Sequence, residues 1–192
     1  MAADQRFRLA LRDVAEALKE IDVPSMIIGG IAVIAAGVPR ETIDIDATIS
    51  GRSSKIDAVL AIFARHGIVP RIQDALAFAR ERQVLLLKHT SSGVTIEVTF
   101  AWLPFEEEAL RQARDADFGG IALRLARPED LVVYKAAAWR DRDRSDIERL
   151  LAIHIQDIDL VRVRALIEQI AQALDDPGRV AAFDKMVERA RG

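Results

Sequence analysis

The sequence predicts an α+β fold, in which a small mixed β-sheet with flanking helices is followed by an α-helical C-terminal section. Two segments, TIDIDATI and TIEVTF, alternate strictly between apolar and polar residues, which predicts strands with one face in a core. From Pro128 onward the apolar residues recur at helical spacing and no segment reads as a strand. We therefore expect a sheet-containing core over residues 1–127 and a helical section over residues 128–192 that packs on this core.

The composition is that of a folded protein, with 192 residues of which 51% are hydrophobic and 30% are charged. The formal net charge of -3 provides no global basic field, so any contact with nucleic acid has to come from a local patch. The absence of cysteine excludes disulfides, thiolate metal sites and a cysteine nucleophile. Charges run through the N-terminal segment, so we expect neither a signal peptide nor a membrane span and interpret the protein as cytoplasmic.

The N-terminal third predicts a helix, a strand, a glycine turn and a second helix. Apolar residues between Gln5 and Ile21 recur at helical spacing, and SMIIGG reads as a short buried strand that runs into Gly29 and Gly30. IAVIAAG then predicts a small-residue helix that ends at Gly37. Many phosphate sites use this order of elements, although the same glycines also suit a simple tight turn between strand and helix.

The middle of the chain predicts more strands and one more helix. TIDIDATI places Ile43, Ile45, Ala47 and Ile49 on one strand face, and SSKIDAVLAIFARHG predicts a helix with a serine cap. ALAFARERQVLLLKH and GVTIEVTFAWL predict two strands of a hairpin joined through TSSG, and FGGIALRLA predicts a last strand. Four helices are predicted in the tail, in PEDLVVYKAAAWR, RSDIERLLAIH, DLVRVRALIEQIAQAL and GRVAAFDKMVERAR.

Three carboxylates are the candidate catalytic groups. Asp44 and Asp46 lie two apart in a strand and project to the same face, about 6.6–6.8 Å apart along the backbone. Glu97 has the same polar phase in TIEVTF, so the three acids meet if the two strands are neighbours. Carboxylates gathered in this way favour a hard divalent ion such as Mg²⁺, whose shell keeps room for substrate phosphates. The alternative is that both strands simply have one solvated face.

Together these residues resemble the DNA polymerase β-like nucleotidyltransferase superfamily, in which a glycine turn precedes an Asp-x-Asp strand and a later strand supplies a third acid. The likeness extends over about Met26 to Leu150 and is strongest to the abortive-infection, AbiEii-type toxin nucleotidyltransferases. It implies a nucleotidyltransferase fold, with Asp44, Asp46 and Glu97 as catalytic metal ligands. The residues implied to bind nucleotide are Gly29, Gly30, Arg40 and Thr42.

The segment RPEDLVVYKAAAWRDRDRSDIERL resembles a later family element, a helix bearing lysine that is followed by a basic-Asp-x-x-Asp turn. The resemblance implies that Lys135 contacts the triphosphate and that Asp143 lies in or beside the active site. Without it, Lys135 reads as a solvated helix face and Asp143 as a helix cap. The chain departs from the family in having Ile31 where a hydroxyl residue often follows the glycine pair, and Arg142 where lysine is usual.

The resemblance implies a Mg²⁺-dependent enzyme that moves a nucleoside monophosphate from a nucleoside triphosphate to an acceptor hydroxyl. The expected acceptor is RNA, such as a tRNA end, in a bacterial toxin–antitoxin setting with a cognate antitoxin as partner. A small-molecule antibiotic as acceptor and a catalytically lapsed binding subunit are the alternatives. Arg140, Arg142 and Arg144 read either as a salt-bridged helix start or as the lining of an RNA groove.

The three histidines, His66, His89 and His154, have no metal-ligand spacing, so we predict no zinc site and interpret them as ordinary surface or boundary residues.

Overall fold

The computed structural model describes residues 3–51 and 56–192. The chain divides into two compact units. Of the described residues, 3–31, 41–51 and 56–126 form the first unit, and 32–40 and 127–192 form the second. The predicted α+β class is confirmed, since all strands of the described residues lie in the first unit and the C-terminal elements are helices.

The first unit contains all the strands of the described residues, together with helices that lie between them in the sequence. The described residues of this unit form one mixed seven-stranded sheet in the order β3-β4-β5-β2-β1-β7-β6. The strands are β1 (Ser25–Ile27), β2 (Asp44–Ile49), β3 (Ile68–Pro70), β4 (Val84–His89), β5 (Thr95–Phe100), β6 (Arg114–Asp117) and β7 (Ala122–Leu125). The helices are α1 (Ala3–Glu20), α3 (Ile56–Arg65), α4 (Ala75–Arg82) and α5 (Pro104–Gln112). A further helix, α2 (Gly29–Ala35), follows β1, and its residues from Ala32 onward belong to the second unit. The serine cap predicted ahead of α3, at Ser53 or Ser54, lies outside the described residues.

The centre of the sheet pairs the two alternating strands. β2 runs parallel to β5 and antiparallel to β1, and the β4–β5 hairpin is antiparallel as predicted. The apolar phase of both central strands is buried, with exposed fractions of 2% or less, as the alternation predicts for Ile45, Ala47, Ile49, Ile96, Val98 and Phe100. Ile43 is the exception, because its side chain is 80% exposed and β2 begins only at Asp44. The strand therefore starts two residues later than the alternation, which begins at Thr42, suggests.

One predicted strand is half helix. ALAFARER forms α4, and the strand begins after it, at Val84. The helix follows Asp74 and ends at Gln83, both with left-handed backbone, and the Gln83 N–H donates to the Ala79 carbonyl at 2.9 Å. Alanine, arginine and glutamate are strong helix formers, so local propensity explains the correction. Three short elements carry no prediction from the sequence: β3, α5 and β6.

The interpretation of His89 as a surface or boundary residue is wrong. Its side chain is only 2% exposed and lies at the end of β4. One ring nitrogen is 2.7 Å from the Ser92 hydroxyl in the hairpin turn, and the other is 2.8 Å from Asp13 Oδ2 on α1. Burial is possible because both nitrogens have hydrogen-bond partners, which link α1 to the hairpin.

The helices predicted after Pro128 are confirmed and make up most of the second unit. They are α6 (Pro128–Ala138), α7 (Asp141–His154), α8 (Leu160–Ala173) and α9 (Gly178–Arg191). α6 packs against α7 and α8, and α9 packs against α7 and α8. α6 ends at Trp139, which has left-handed backbone, and Arg179 Nη1 donates to the carbonyls of Ala136 and Ala137 at 2.7 and 3.1 Å. Within residues 3–51 and 56–192, none of the helices combines the length and apolar character that a membrane crossing needs.

Candidate active site

The parallel pairing of β2 with β5 sets the arrangement of the three acids. Asp46 stands opposite Glu97 in this register, and Asp44 stands opposite Thr95. Residues that face each other across a ladder project to the same side of the sheet, and so do residues two apart in one strand. The three acids therefore share one face, while the buried apolar residues of both strands fill the other.

The glycine turn lies directly against Asp46. Gly29 has a φ of +64°, a left-handed conformation that favours glycine. A Cβ atom at this position would lie 1.9 Å from Asp46 Oδ2, far inside van der Waals contact. The Ile28 N–H donates to the Asp46 carbonyl at 2.9 Å, which fixes the strand beside the turn. Gly29 is thus required for both its backbone conformation and the position of the Asp46 carboxylate.

Thr42 orients an acid of the site, whereas Gly30 and Ile31 are buried after the glycine turn begins. The Thr42 hydroxyl donates to Asp44 Oδ1 at 3.0 Å and lies 3.3 Å from the Asp44 carbonyl, so Thr42 orients this aspartate. Gly30 is buried at the start of α2, and the side chain of Ile31 is fully buried. Ile31 therefore contributes to the core, where a serine or threonine hydroxyl would also be buried.

Glu97 is held by a residue that the sequence analysis missed. Arg71 Nη2 lies 2.8 Å from Glu97 Oε1, and the two side chains are 32% and 46% exposed. Arg71 follows the short strand β3, which is predicted by no local pattern, so this ion pair could not be found without the strand order. The third acid is thus neutralised by a cation from the edge of the sheet.

The acid face has the ligand chemistry that Mg²⁺ prefers, since Asp44, Asp46 and Glu97 offer carboxylate oxygens. Among the residues that the structure describes, no three His, Cys, Asp or Glu side chains are gathered closely enough to hold a metal ion. Mg²⁺ sites commonly use one or two carboxylates together with water and substrate phosphates. Asp44 and Asp46 carry the carboxylates that such a site needs, whereas the Glu97 carboxylate is paired with Arg71.

A second group of the predicted residues forms a buried ionic network in the second unit. Lys135 Nζ lies 3.0 Å from Asp143 Oδ1 and 3.1 Å from Asp146 Oδ2. Arg40 Nη1 lies 2.6 Å from the same Asp146 oxygen. These four side chains are at most 8% exposed. Burial removes water from their charges, and the ion pairs within the network compensate for this loss of hydration.

Asp143 has a structural role that its position explains. Arg140 N and Nε donate to Asp143 Oδ2 at 3.2 and 2.7 Å, so the carboxylate caps the start of α7. Burial raises the pKa of Asp143, but hydrogen bonds from Arg140 and Lys135 outweigh it and hold the pKa below its usual range. Asp143 is therefore an anion in the folded protein at neutral pH.

The predicted site residues thus fall into two groups. The first unit holds Gly29, Gly30, Thr42, Asp44, Asp46 and Glu97, and the second holds Arg40, Lys135 and Asp143. Asp146 joins the second group as the shared partner of Arg40 and Lys135. Its place in the basic-Asp-x-x-Asp turn was the sequence signal for it.

The family model described as a nucleotidyltransferase of unknown function (DUF6036) matches residues 6–191. Comparison with curated proteins finds no match.

Among solved structures, ANT(2'')-Ia in complex with adenylyl-2''-tobramycin aligns with a TM-score of 0.56 and 18% identity, over 88% of this chain and 99% of that one. An antigenic nucleotidyltransferase-like protein from Paracoccidioides brasiliensis aligns with a TM-score of 0.53 and 16% identity, over 92% of this chain and 91% of that one. JHP933 from Helicobacter pylori aligns with a TM-score of 0.51 and 16% identity, over 98% and 91%. The likeness to these structures shows a common fold.

Proposed function

The chain belongs to the DUF6036 family of nucleotidyltransferases, and we propose that it moves a nucleoside monophosphate from a nucleoside triphosphate to an acceptor hydroxyl with the help of Mg²⁺. The single observation that carries this proposal is the register of the two central strands, in which Asp46 is opposite Glu97 and Asp44 lies on the same face. The position of Gly29 against Asp46 supports it further, since the turn and the acid fit each other only with glycine.

In the proposed reaction the acceptor oxygen attacks the α-phosphorus of the triphosphate. A new phosphorus–oxygen bond forms, the bond to the pyrophosphate oxygen breaks, and pyrophosphate leaves with its electron pair. Asp44 and Asp46 would hold Mg²⁺, which supplies charge neutralisation for the phosphates and the leaving group. Glu97 would complete the site and accept the proton of the acceptor hydroxyl. Thr42 keeps Asp44 oriented through its 3.0 Å hydrogen bond.

Arg40 and Lys135 are the proposed triphosphate contacts. They belong to a network in which Arg40, Lys135 and Arg140 face two carboxylates, those of Asp143 and Asp146. Both side chains suit phosphate, because a lysine ammonium is a compact point charge and an arginine guanidinium can bind two phosphate oxygens at once. Asp143 and Asp146 would fix the two cations rather than touch the nucleotide.

For the acceptor we propose an RNA end such as that of tRNA, in a toxin that is neutralised by a cognate antitoxin. Arg142 is exposed in the first turn of α7 and offers a local cation for a polyanion, whereas Arg140 pairs with Asp143 and Arg144 pairs with Asp141. The basic surface of this turn is therefore smaller than three arginines suggest. A toxin that modifies RNA would act in the cytoplasm, as the sequence analysis expects.

A small-molecule hydroxyl is the second candidate acceptor. The observation that favours it is the fold shared with ANT(2'')-Ia, which was solved with an adenylylated tobramycin. The net charge of -3 agrees better with a cationic acceptor than with a polyanion such as RNA. The two acceptor classes therefore require separate arms in the same experiment.

The experiment supplies each nucleoside triphosphate with an α-phosphate label to the protein and Mg²⁺, with total RNA in one arm and aminoglycosides in the other. A blank carries the double change Asp44→Asn and Asp46→Asn. Label transferred by the wild type but not by the blank supports the enzyme, and the labelled arm identifies the acceptor class. Triphosphate binding with no transfer to any acceptor would favour the lapsed binding subunit.

A further inference from the structure

Arg71 reaches Glu97 across a row of three adjacent strands. The Arg71 N–H donates to the Leu86 carbonyl at 3.0 Å, which fixes the Arg71 backbone beside β4. Leu86 in turn stands opposite Glu97 in the antiparallel β4–β5 pairing. The guanidinium therefore crosses over β4 to reach Glu97 on the next strand, where Nη2 lies 2.8 Å from Oε1.

Arg71 and Asp46 lie on opposite sides of Glu97. In the sheet order β3-β4-β5-β2, Arg71 approaches β5 from the β4 side and Asp46 lies on the β2 side. A carboxylate that pairs with Arg71 is therefore directed away from Asp44 and Asp46. This direction accounts for the finding that the described part of the chain holds no three carboxylates close enough for a metal ion, although the register brings three to one face.

We propose that Arg71 is a positioning residue whose ion pair competes with the metal ion for Glu97. This inference rests on the proposed function, because it takes the acid face as the metal site. Both side chains are partly exposed, at 32% and 46%, and ion pairs of this kind are weak. Glu97 can therefore exchange Arg71 for the metal at low cost, and the pair lowers metal affinity until nucleotide phosphates add their own ligands.

The test measures Mn²⁺ binding to the full chain by calorimetry or electron paramagnetic resonance in the absence of nucleotide. The variant is Arg71→Gln, and the matched control is Arg80→Gln, since Arg80 is an exposed arginine on α4 with a loose 3.9 Å pair to Asp57. We expect Arg71→Gln to bind Mn²⁺ roughly two- to fivefold more tightly than the wild type, as expected from the loss of an exposed ion pair. Arg80→Gln should keep the wild-type affinity. Unchanged or weaker binding by Arg71→Gln would overturn the proposal.

A double-mutant cycle with Glu97→Gln shows whether the effect passes through this acid. We expect Arg71→Gln to lose its advantage when Glu97 is already amidated. An advantage of the same size in the Glu97→Gln background would reflect only the loss of a positive charge and would contradict competition for Glu97.

The same measurement separates this inference from the proposed function. Mn²⁺ binding that Asp46→Asn abolishes and Arg71→Gln leaves unchanged would overturn the role of Arg71 and leave the metal-dependent function standing. Absence of Mn²⁺ binding in the wild type and in every variant, both without nucleotide and with a non-hydrolysable nucleoside triphosphate, would overturn both when circular dichroism confirms folding.

Discussion

Asp46 on β2 lies directly opposite Glu97 on β5, in the parallel pairing at the centre of the sheet. Two acids brought together in this way would repel each other in the absence of a cation, so their positions are informative about function. Asp46 is in contact with the glycine turn, and Glu97 is in contact with Arg71. Within this pair, Asp46 lies against the glycine turn and Glu97 lies against a cation.

Single amidation of either aspartate tests its role in transfer. We expect Asp44→Asn and Asp46→Asn each to reduce nucleotide transfer by at least about a hundredfold, because a neutral amide binds a hard cation poorly and transition-state charge stabilisation by a metal is worth several kcal/mol. The rate of label transfer measures this. Asp57→Asn, at an exposed aspartate of α3, is the control and should transfer at the wild-type rate. Wild-type transfer by Asp44→Asn would remove that residue from the proposed site.

Substitution of Gly29 tests the contact between the turn and Asp46. Gly93 is the matched control, since it also has a positive φ, of +77°, but a Cβ there would meet nothing within 4 Å. We expect Gly93→Ala to lose about 1–2 kcal/mol of unfolding free energy from backbone strain and to keep its transfer rate. Gly29→Ala should lose more stability, because the Cβ displaces the Asp46 carboxylate, and should also lose transfer. Urea unfolding and label transfer measure the two effects, and equal behaviour of both variants would contradict the contact.

Asp143 should make the protein sensitive to acid. Its folded-state pKa is lowered, because hydrogen bonds from Arg140 and Lys135 outweigh the cost of burial. A carboxyl whose pKa is lower in the folded state contributes stability above its unfolded value of about 3.9, and this stability is lost as the pH falls through the folded value.

Asp143→Asn should remove this acid-dependent stability and leave Lys135 with Asp146 alone. We expect a loss at neutral pH of up to about 3–5 kcal/mol and a smaller difference from the wild type at low pH. Asp141→Asn is the control, because the Asp141 side chain is 94% exposed. It should leave the free energy of unfolding close to that of the wild type at both neutral and low pH. Unfolding by urea at several pH values measures both, and a difference independent of pH would contradict the assigned charge of Asp143.

The ionisation of Glu106 should change the stability of the protein with pH in the direction opposite to that of Asp143. Burial raises the pKa of Glu106, and hydrogen bonds from the N–H groups of Trp102 and Leu103 offset only part of this rise. A carboxyl whose folded pKa is raised lowers stability as the pH increases from its unfolded value of about 4.3 through the folded value. Glu106→Gln should abolish that decrease, whereas Glu81→Gln, at a side chain 70% exposed, should retain it. Thermal unfolding across this pH range provides the measurement.

The parts of the fold that follow from local patterns were predictable. The alternation of apolar and polar residues in β2 and β5 predicts which residues of these strands are buried and which lie on the polar face. Helical spacing of apolar residues predicts α6 to α9. Ala75–Arg82 was assigned to a strand because an apolar run follows it, although its own residues favour a helix. β3 has three residues and depends on pairing with β4, so local sequence offers little signal for it.

The candidate site shows the same division. Asp44 and Asp46 share a face by spacing alone, but the opposition of Asp46 and Glu97 depends on the parallel pairing of strands far apart in the sequence. Arg71 was missed because it reaches Glu97 from an unpredicted edge strand. The partners of Lys135 arise from the packing of α6 against α7, which helical periodicity does not specify.

The most direct test of the account is a crystal structure with Mn²⁺ and a non-hydrolysable nucleoside triphosphate, in which anomalous scattering locates the metal. We expect a peak within about 2.5 Å of carboxylate oxygens from both Asp44 and Asp46, with phosphate oxygens completing the shell. A nucleotide bound with its metal away from both aspartates would contradict the account.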